Sequence, residues 1–149
     1  MNKGIYFSLL VIAIVLLSGC KSQKAAVASF NDLDGTWGVV EMNGAALDPA
    51  VTGQQLVFDV ARQTLSGNAG CNRIMGKVAY DQAQPQILKF PSVASTRMAC
   101  PDMKGEMELL QTLNKIVRFE AQSSVPSATT IALYGTDGSR LMVISKMVK

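Results

Sequence analysis

The sequence predicts an α+β domain: an antiparallel sheet of about seven or eight short strands, with one helix docked on its curved face or plugging a partly open barrel. Three observations lead there. From Leu33 onward, short stretches of alternating apolar residues recur between strong turn dipeptides, Asn43-Gly44 and Asp137-Gly138 among them. One segment alone carries a helical stripe, with Met103, Met107, Leu110 and Leu113 at steps of four, three and three. The chain of 149 residues has room for one domain of ordinary size and not comfortably for two.

The first twenty residues stand apart from that domain. "MNKG" carries Lys3 and no acid, "IYFSLLVIAIVLL" is apolar from Ile5 to Leu17, and "SGC" follows. A basic start, an apolar run and small residues make a secretory signal. The run is short against the ~20 residues a spanning helix needs, which weighs against a retained membrane anchor. The end of the signal, Leu17-Ser18-Gly19-Cys20, resembles the bacterial lipoprotein lipobox. That resemblance implies cleavage before Cys20 and acylation of its thiol and its new amino group. Two or more acyl chains hold a protein on a membrane where one does so only marginally. Lys21 stands where an enterobacterial inner-membrane retention signal has Asp, which favours the outer membrane; no acid-rich export signal follows Cys20, which favours the periplasmic side. The expected organisation is a signal over residues 1–19, an acylated tether over 20–32 and a folded domain over 33–149.

Within the domain, "GTWGVVEMNG" reads as a strand ending at its turn. "QQLVFDV" sends Leu56, Phe58 and Val60 to one face, and "QTLSG" is its partner after a turn near Ala61-Arg62. "KVAYD" and "QILKF" are further strands, the second bounded by Pro85 and Pro91 as suits a sheet edge. "PDMKGEMELLQTLNKI" is the helix: Pro101 suits its first position, Asp102 and Glu106 favour its amino end, and its Met-rich stripe reads as core. "VRFEAQ" is a strand. "TTIALYGTDGSRLMVISK" is a terminal hairpin with Ile131, Leu133, Leu141 and Val143 at period two.

Composition excludes several function classes. Removing residues 1–19 takes only Lys3 from the 14 Lys and Arg, which then face 11 Asp and Glu. The basic residues are scattered and aromatics are few, so nucleic-acid binding is set aside. The chain has no histidine, which removes Ser-His-Asp and Cys-His catalysis in their usual forms and most zinc sites. No enzyme activity, metal or cofactor is expected.

The most concentrated segment is "SGNAGCNRIMG", Ser66 to Gly76. It lacks the spacing of a phosphate-binding loop. A reactive Cys71 would have Arg73 beside it but no histidine base. With Cys20 committed to lipid, Cys71 and Cys100 remain as a pair in an oxidising compartment. Their separation is far from the CxxC of thioredoxin-like enzymes. A disulfide between them would close a loop of about thirty residues and stabilise by about 3.5 kcal/mol in the chain-entropy model.

These stretches resemble the META domain, also called the heat-shock HslJ-like domain. The resemblance rests on Thr36-Trp37, Asn43-Gly44, Ser66-Gly67, Gly70-Cys71-Asn72-Arg73, Gly76, Tyr80, the run Ser95 to Pro101 and Glu106. Position 79 is Ala and the family's aromatic falls at Tyr80. The family implies a small antiparallel half-barrel with one helix. It resembles the cracked-barrel pilot lipoproteins that help assemble secretins, and its members include envelope lipoproteins linked to heat shock or antibiotic tolerance. It implies no catalytic residues.

The functional expectation is therefore an outer-membrane lipoprotein with a non-catalytic domain that binds or supports an envelope protein, peptide or lipid. The rival expectations are a periplasmic thiol-redox protein using Cys71 and Cys100, and a purely structural envelope protein. Two sets of residues are candidates for binding. Met98, Met103 and Met107 would line an apolar groove between helix and sheet if they do not fill the core. Arg73, Thr96 and Arg97 would gather an anion near the disulfide, unless the arginines pair with Asp102, Glu106 or carbonyls to hold the loop.

Overall fold

The computed structural model describes residues 28–122 and 129–148. The signal, Cys20 and most of the expected tether lie outside the described residues. The strands are β1 Gly35–Met42, β2 Ala45–Ala46, β3 Gln54–Asp59, β4 Thr64–Ala69, β5 Arg73–Lys77, β6 Ala79–Tyr80, β7 Leu88–Lys89, β8 Val93–Ser95, β9 Ile116–Ala121, β10 Thr130–Gly135 and β11 Arg140–Lys146. Two helices interrupt them, the single turn α1 Pro49–Thr52 and the longer α2 Lys104–Leu113.

The main sheet runs β8-β5-β4-β3-β1-β11-β10-β9, with β2 added to β1 and β6-β7 as a separate ribbon. All its pairings are antiparallel. Register shifts at Val39/Glu41, Leu133/Tyr134 and Tyr134/Gly135 are bulges that increase local twist and bend the sheet. The connection after β5 thereby reaches the opposite edge: Phe119 donates its amide to Gln86 O at 3.0 Å, and Ile87 bridges Arg118. The result is the expected α+β half-barrel. Helix α2 follows one edge strand, β8, and precedes the other, β9, so it links the two sides of the curled sheet and buries Leu109 and Leu113 in its core.

Strand β3 shows how the pattern becomes packing. Gln54, Leu56 and Phe58 are buried while Gln55, Val57 and Asp59 are not, which is the two-residue pleat of a half-buried strand. Trp37 on β1 is fully buried and donates Nε1–H to Leu33 O at 2.6 Å, so the indole meets its polar requirement inside the core. The Lys146 ammonium sits 4.7 Å from the centre of that ring and donates to the carbonyls of Asp32 and Asp34.

Several elements depart from expectation. The core begins before Leu33, because Ala28 and Phe30 are buried and Phe30 stacks on Tyr80 with ring centres 4.0 Å apart. Helix α2 starts at Lys104 with Met103 as its cap, so Pro101 lies outside it. Its buried face is Glu106, Leu109, Thr112 and Leu113, and Met107 points away at 54 % exposure. In the terminal hairpin, Ile131 faces Ile144 and Leu133 faces Met142. From β11 the core takes Met142 and Ile144, with Leu141 packed at its margin and Val143 outside it. Both alternations of "RLMVIS" contain apolar residues, so periodicity does not choose between them.

Gly67 in β4 is required by contact. Its φ is +152°, and an added Cβ would lie 2.0 Å from Gln55 O on the paired strand. Gly44 has φ +82° but open space around the same position. We therefore expect Gly67→Ala to lower the unfolding free energy by about 3 kcal/mol or more, since neither backbone can yield. Gly44→Ala should lower it by only ~1 kcal/mol, the strain of a left-handed alanine. Urea unfolding of the two variants checks the contrast.

A second prediction comes from the β10–β11 turn. The Asp137 carboxyl accepts the Ser139 hydroxyl at 2.6 Å and the Ser139 amide at 3.0 Å, and these bonds hold its pKa below the usual carboxylate value. A depressed folded-state pKa contributes stability above the unfolded value and loses it as pH falls through the folded one. Side-chain NMR titration should show Asp137 protonating below the ordinary aspartate range, and Ser139→Ala should move it upward.

Candidate functional site

The segment "SGNAGCNRIMG" is a β-hairpin. Its first arm belongs to β4 and its second to β5, with Asn68 facing Arg73 across the ladder. Ala69 donates its amide to Asn72 O at 2.8 Å to close the turn, and Asn68 Oδ1 accepts the Gly70 amide at 2.9 Å. Strand β5 forms from residues whose glycines and polar side chains carry no clear strand pattern. Gly76 allows it, because a Cβ there would lie 2.5 Å from Ser92 O beside strand β8. Cys71, at the tip of the turn, is bonded to Cys100, with Cα atoms 6.5 Å apart. The bond fastens the hairpin to the segment that leads into α2.

Beside the disulfide lies a buried polar hub. Asn72 is wholly buried, and its carboxamide is fully used. Nδ2 donates to Glu106 Oε2 at 3.0 Å and to Met98 O at 3.3 Å. Oδ1 accepts the Thr96 hydroxyl at 2.8 Å and the Met98 amide at 2.7 Å. The Asn72 backbone amide donates to Glu106 Oε2 at 3.1 Å. One side chain therefore joins the hairpin, the strand running on from β8 and the first turn of α2. A buried carboxylate is tolerated where donors are supplied, and the amino end of a helix favours its charge.

Gln54 makes a second junction. It is 3 % exposed and donates Nε2 to Gly105 O at 2.9 Å and to Ala69 O at 3.3 Å. Its Oε1 is buried and has no hydrogen-bond partner among the described residues. A cleft of about 590 Å³ opens at this place, lined by Val51, Gln54, the Cys71–Cys100 bond, Pro101 and Glu106 among others.

The structure distributes the expected site residues unevenly. Thr96 joins the hub, and Met98 joins it through its backbone. Arg73 and Thr96 meet, but through the Arg73 amide to Thr96 Oγ1 and the Thr96 amide to Arg73 O. The guanidinium groups do not hold the loop. Among the described residues, the ion pairs are Arg62–Asp59, Arg118–Glu120 and Arg140–Glu41, and Arg73 and Arg97 are exposed. Glu106 is engaged by Asn72 instead. The three candidate methionines neither fill the core nor line the cleft. Met98 and Met107 are 55 % and 54 % exposed, Met103 is half-buried, and none belongs to the cleft beside the disulfide.

Asn72 and Gln54 were not among the candidate residues, and Glu106 was expected as a helix-end charge and as a partner for the arginines. One signal for Gln54 was present, since it shares the period-two face of Leu56 and Phe58 and so stands in a core-facing register. Asn72 stands in the Gly70-to-Arg73 motif, but nothing local marks its burial, because its side-chain partners lie more than twenty residues away.

Comparison with known proteins follows the same lines. A family model described as the META domain matches residues 29–148. An NMR structure of a protein from Burkholderia xenovorans is similar at 26% identity and a TM-score of 0.59, over 80% of this chain and 87% of that one. A crystal structure of a DUF4847 family protein from Bacteroides vulgatus is similar at 16% identity and a TM-score of 0.54, over 78% of this chain and 95% of the other, a likeness of fold alone. No curated protein matches the sequence.

Replacing Asn72 by Ala should lower stability by about 3 kcal/mol, because it leaves the buried Glu106 carboxylate with one donor fewer and orphans the Met98 groups. Arg73→Ala should change it by less than about 0.5 kcal/mol, as an exposed side chain with no partner among the described residues. Equilibrium denaturation of both variants, with the disulfide intact, checks the assignment of the loop-holding role.

Proposed function

Because the chain belongs to the META domain family, and because its domain uses two of its three cysteines on each other, we propose that it is a lipid-anchored envelope protein. The observation that carries this reading is the Cys71–Cys100 bond. It leaves Cys20 as the one remaining thiol, at the position where "LSGC" ends an export signal. A disulfide also suits a chain that matures in an oxidising compartment. Lys21 after the cysteine favours the outer membrane, facing the periplasm.

In this reading the domain binds or supports another envelope component and performs no chemistry of its own. The lack of histidine and the commitment of the buried Glu106 to Asn72 support a binding role over a catalytic one. The disulfide is structural: it fixes the hairpin turn against the segment before α2. The tether is short. Phe30 stacks on Tyr80, and Gln86 Nε2 donates to Ala28 O at 3.2 Å, so the chain is docked only eight positions after Cys20. Eight extended residues reach at most about 28 Å, which would hold the Phe30–Tyr80 end of the half-barrel near the membrane.

Metabolic labelling with a palmitate analogue and fractionation of the cell envelope test the anchor. The wild-type chain should carry the label and sediment with outer membranes, and Cys20→Ser should lose both properties. An unlabelled wild-type chain would overturn the anchor.

A further inference from the structure

We propose that the cleft beside the disulfide is a binding site for an alkylammonium group, the chemistry shared by free amines and the lysine side chain. Gln54 and Glu106 both line it and are 3 % and 5 % exposed. The Gln54 amide has spent its two N–H groups on Ala69 O and Gly105 O, so its unpartnered Oε1 can only accept. Both hydrogen bonds to Glu106 use Oε2, and Oε1 accepts none from a described residue. What the site lacks is donors, and an ammonium group brings three of them and no acceptor.

Charge points the same way. Glu106 and Asp102 line the cleft and no Lys or Arg does. Arg73, Arg97 and Lys104 on the neighbouring segments are exposed and lie outside its lining. The amino end of α2 adds roughly half a positive charge, which leaves a balance of roughly one and a half negative charges. An anion would therefore meet net repulsion and no free donor side chain.

The walls fit an aliphatic stem. Val51, 83 % exposed on α1, lines the cleft together with Pro101 and the disulfide. A volume of about 590 Å³ falls in the range of small-ligand sites. Acceptors this deeply buried among apolar lining suit a cation carried on several methylene groups better than a bare metal ion, and no three His, Cys, Asp or Glu side chains converge among the described residues. The site does not depend on the membrane anchor, so its failure and the failure of the anchor are read by different experiments.

The test is a titration of the full chain, disulfide intact and in mild detergent, followed by NMR of the Gln54 side-chain amide and the Glu106 backbone amide. The probes are n-butylammonium, Nα-acetyl-lysine amide and, as an uncharged control, n-butanol. We expect both signals to shift and saturate with at least one amine and not with butanol. Tighter binding of butylammonium would identify a free amine as the natural source, and tighter binding of acetyl-lysine amide a lysine side chain. Glu106→Gln keeps an acceptor for Asn72 while removing the charge, and should weaken binding at least tenfold. Asp102→Asn, at the exposed rim, should weaken it two- to threefold and decides the matter if Glu106→Gln does not fold. Failure of both amines to saturate, equal binding of butanol, or unchanged affinity in the folded variants would overturn the site and leave Gln54 Oε1 to a buried water.

Discussion

The contact between Asn72 and Glu106 fixes more of this molecule than any other pair. A carboxylate on the first turn of α2 is drawn inward to meet two donors of one residue, a backbone amide and a carboxamide. That sets the rotation of the helix. With Glu106 inward, Leu109, Thr112 and Leu113 must follow at three- and four-residue steps, and Met107 must face out. The carboxamide's other side holds Thr96 and Met98, so the strand running on from β8 is positioned by the same group. The disulfide works on the same three segments by a different route. It shortens the excursions of the unfolded chain and so makes their approach less costly in entropy. Proximity comes from the covalent bond, and orientation from the hydrogen bonds.

How much of this was legible depends on the range of the cause. The half-barrel class follows from local signals. The alternation in β3, the Asn43-Gly44 and Asp137-Gly138 turns and the single helical stripe all act within a few residues, and the structure contains each of them. Phase was not legible. In β11 both faces carry apolar residues, and only the pairing of Leu133 with Met142 chooses between them. In α2 a methionine stripe reads as the core face, yet a buried glutamate outweighs it, because a carboxylate gains more from two directed donors than a flexible thioether gains from burial. Strands β5 and β8 were missed for a related reason. Arg73–Lys77 and Val93–Ser95 are strands because each lies beside a partner, not because of their own composition.

The candidate site shows the same division. The disulfide partners were readable by elimination, whereas Thr96, expected to help gather an anion, spends its hydroxyl on Asn72. The arginines misled because charge is conspicuous in a sequence, whereas the loop is held around the neutral amide of Asn72. Asn72 and Gln54 look like turn and strand-edge residues until their long-range partners are known. Gln54 Nε2 reaches Gly105 across fifty-one positions.

Gln54 also explains why an unmet acceptor stands in the fold. Ala69 ends β4 and Gly105 opens α2, and both present carbonyls to the same buried point. A hydrocarbon side chain would forfeit both of these hydrogen bonds. A carboxylate has no donor to offer them, and an ammonium could not be buried there without its own counter-charge. A carboxamide is the compact group that satisfies two carbonyls while remaining neutral. Its oxygen is then left over by chemistry, not by accident. The junction that closes hairpin against helix therefore creates a buried acceptor on a residue that lines the same cleft as Glu106, so that one arrangement both stabilises the fold and prepares a place for donors.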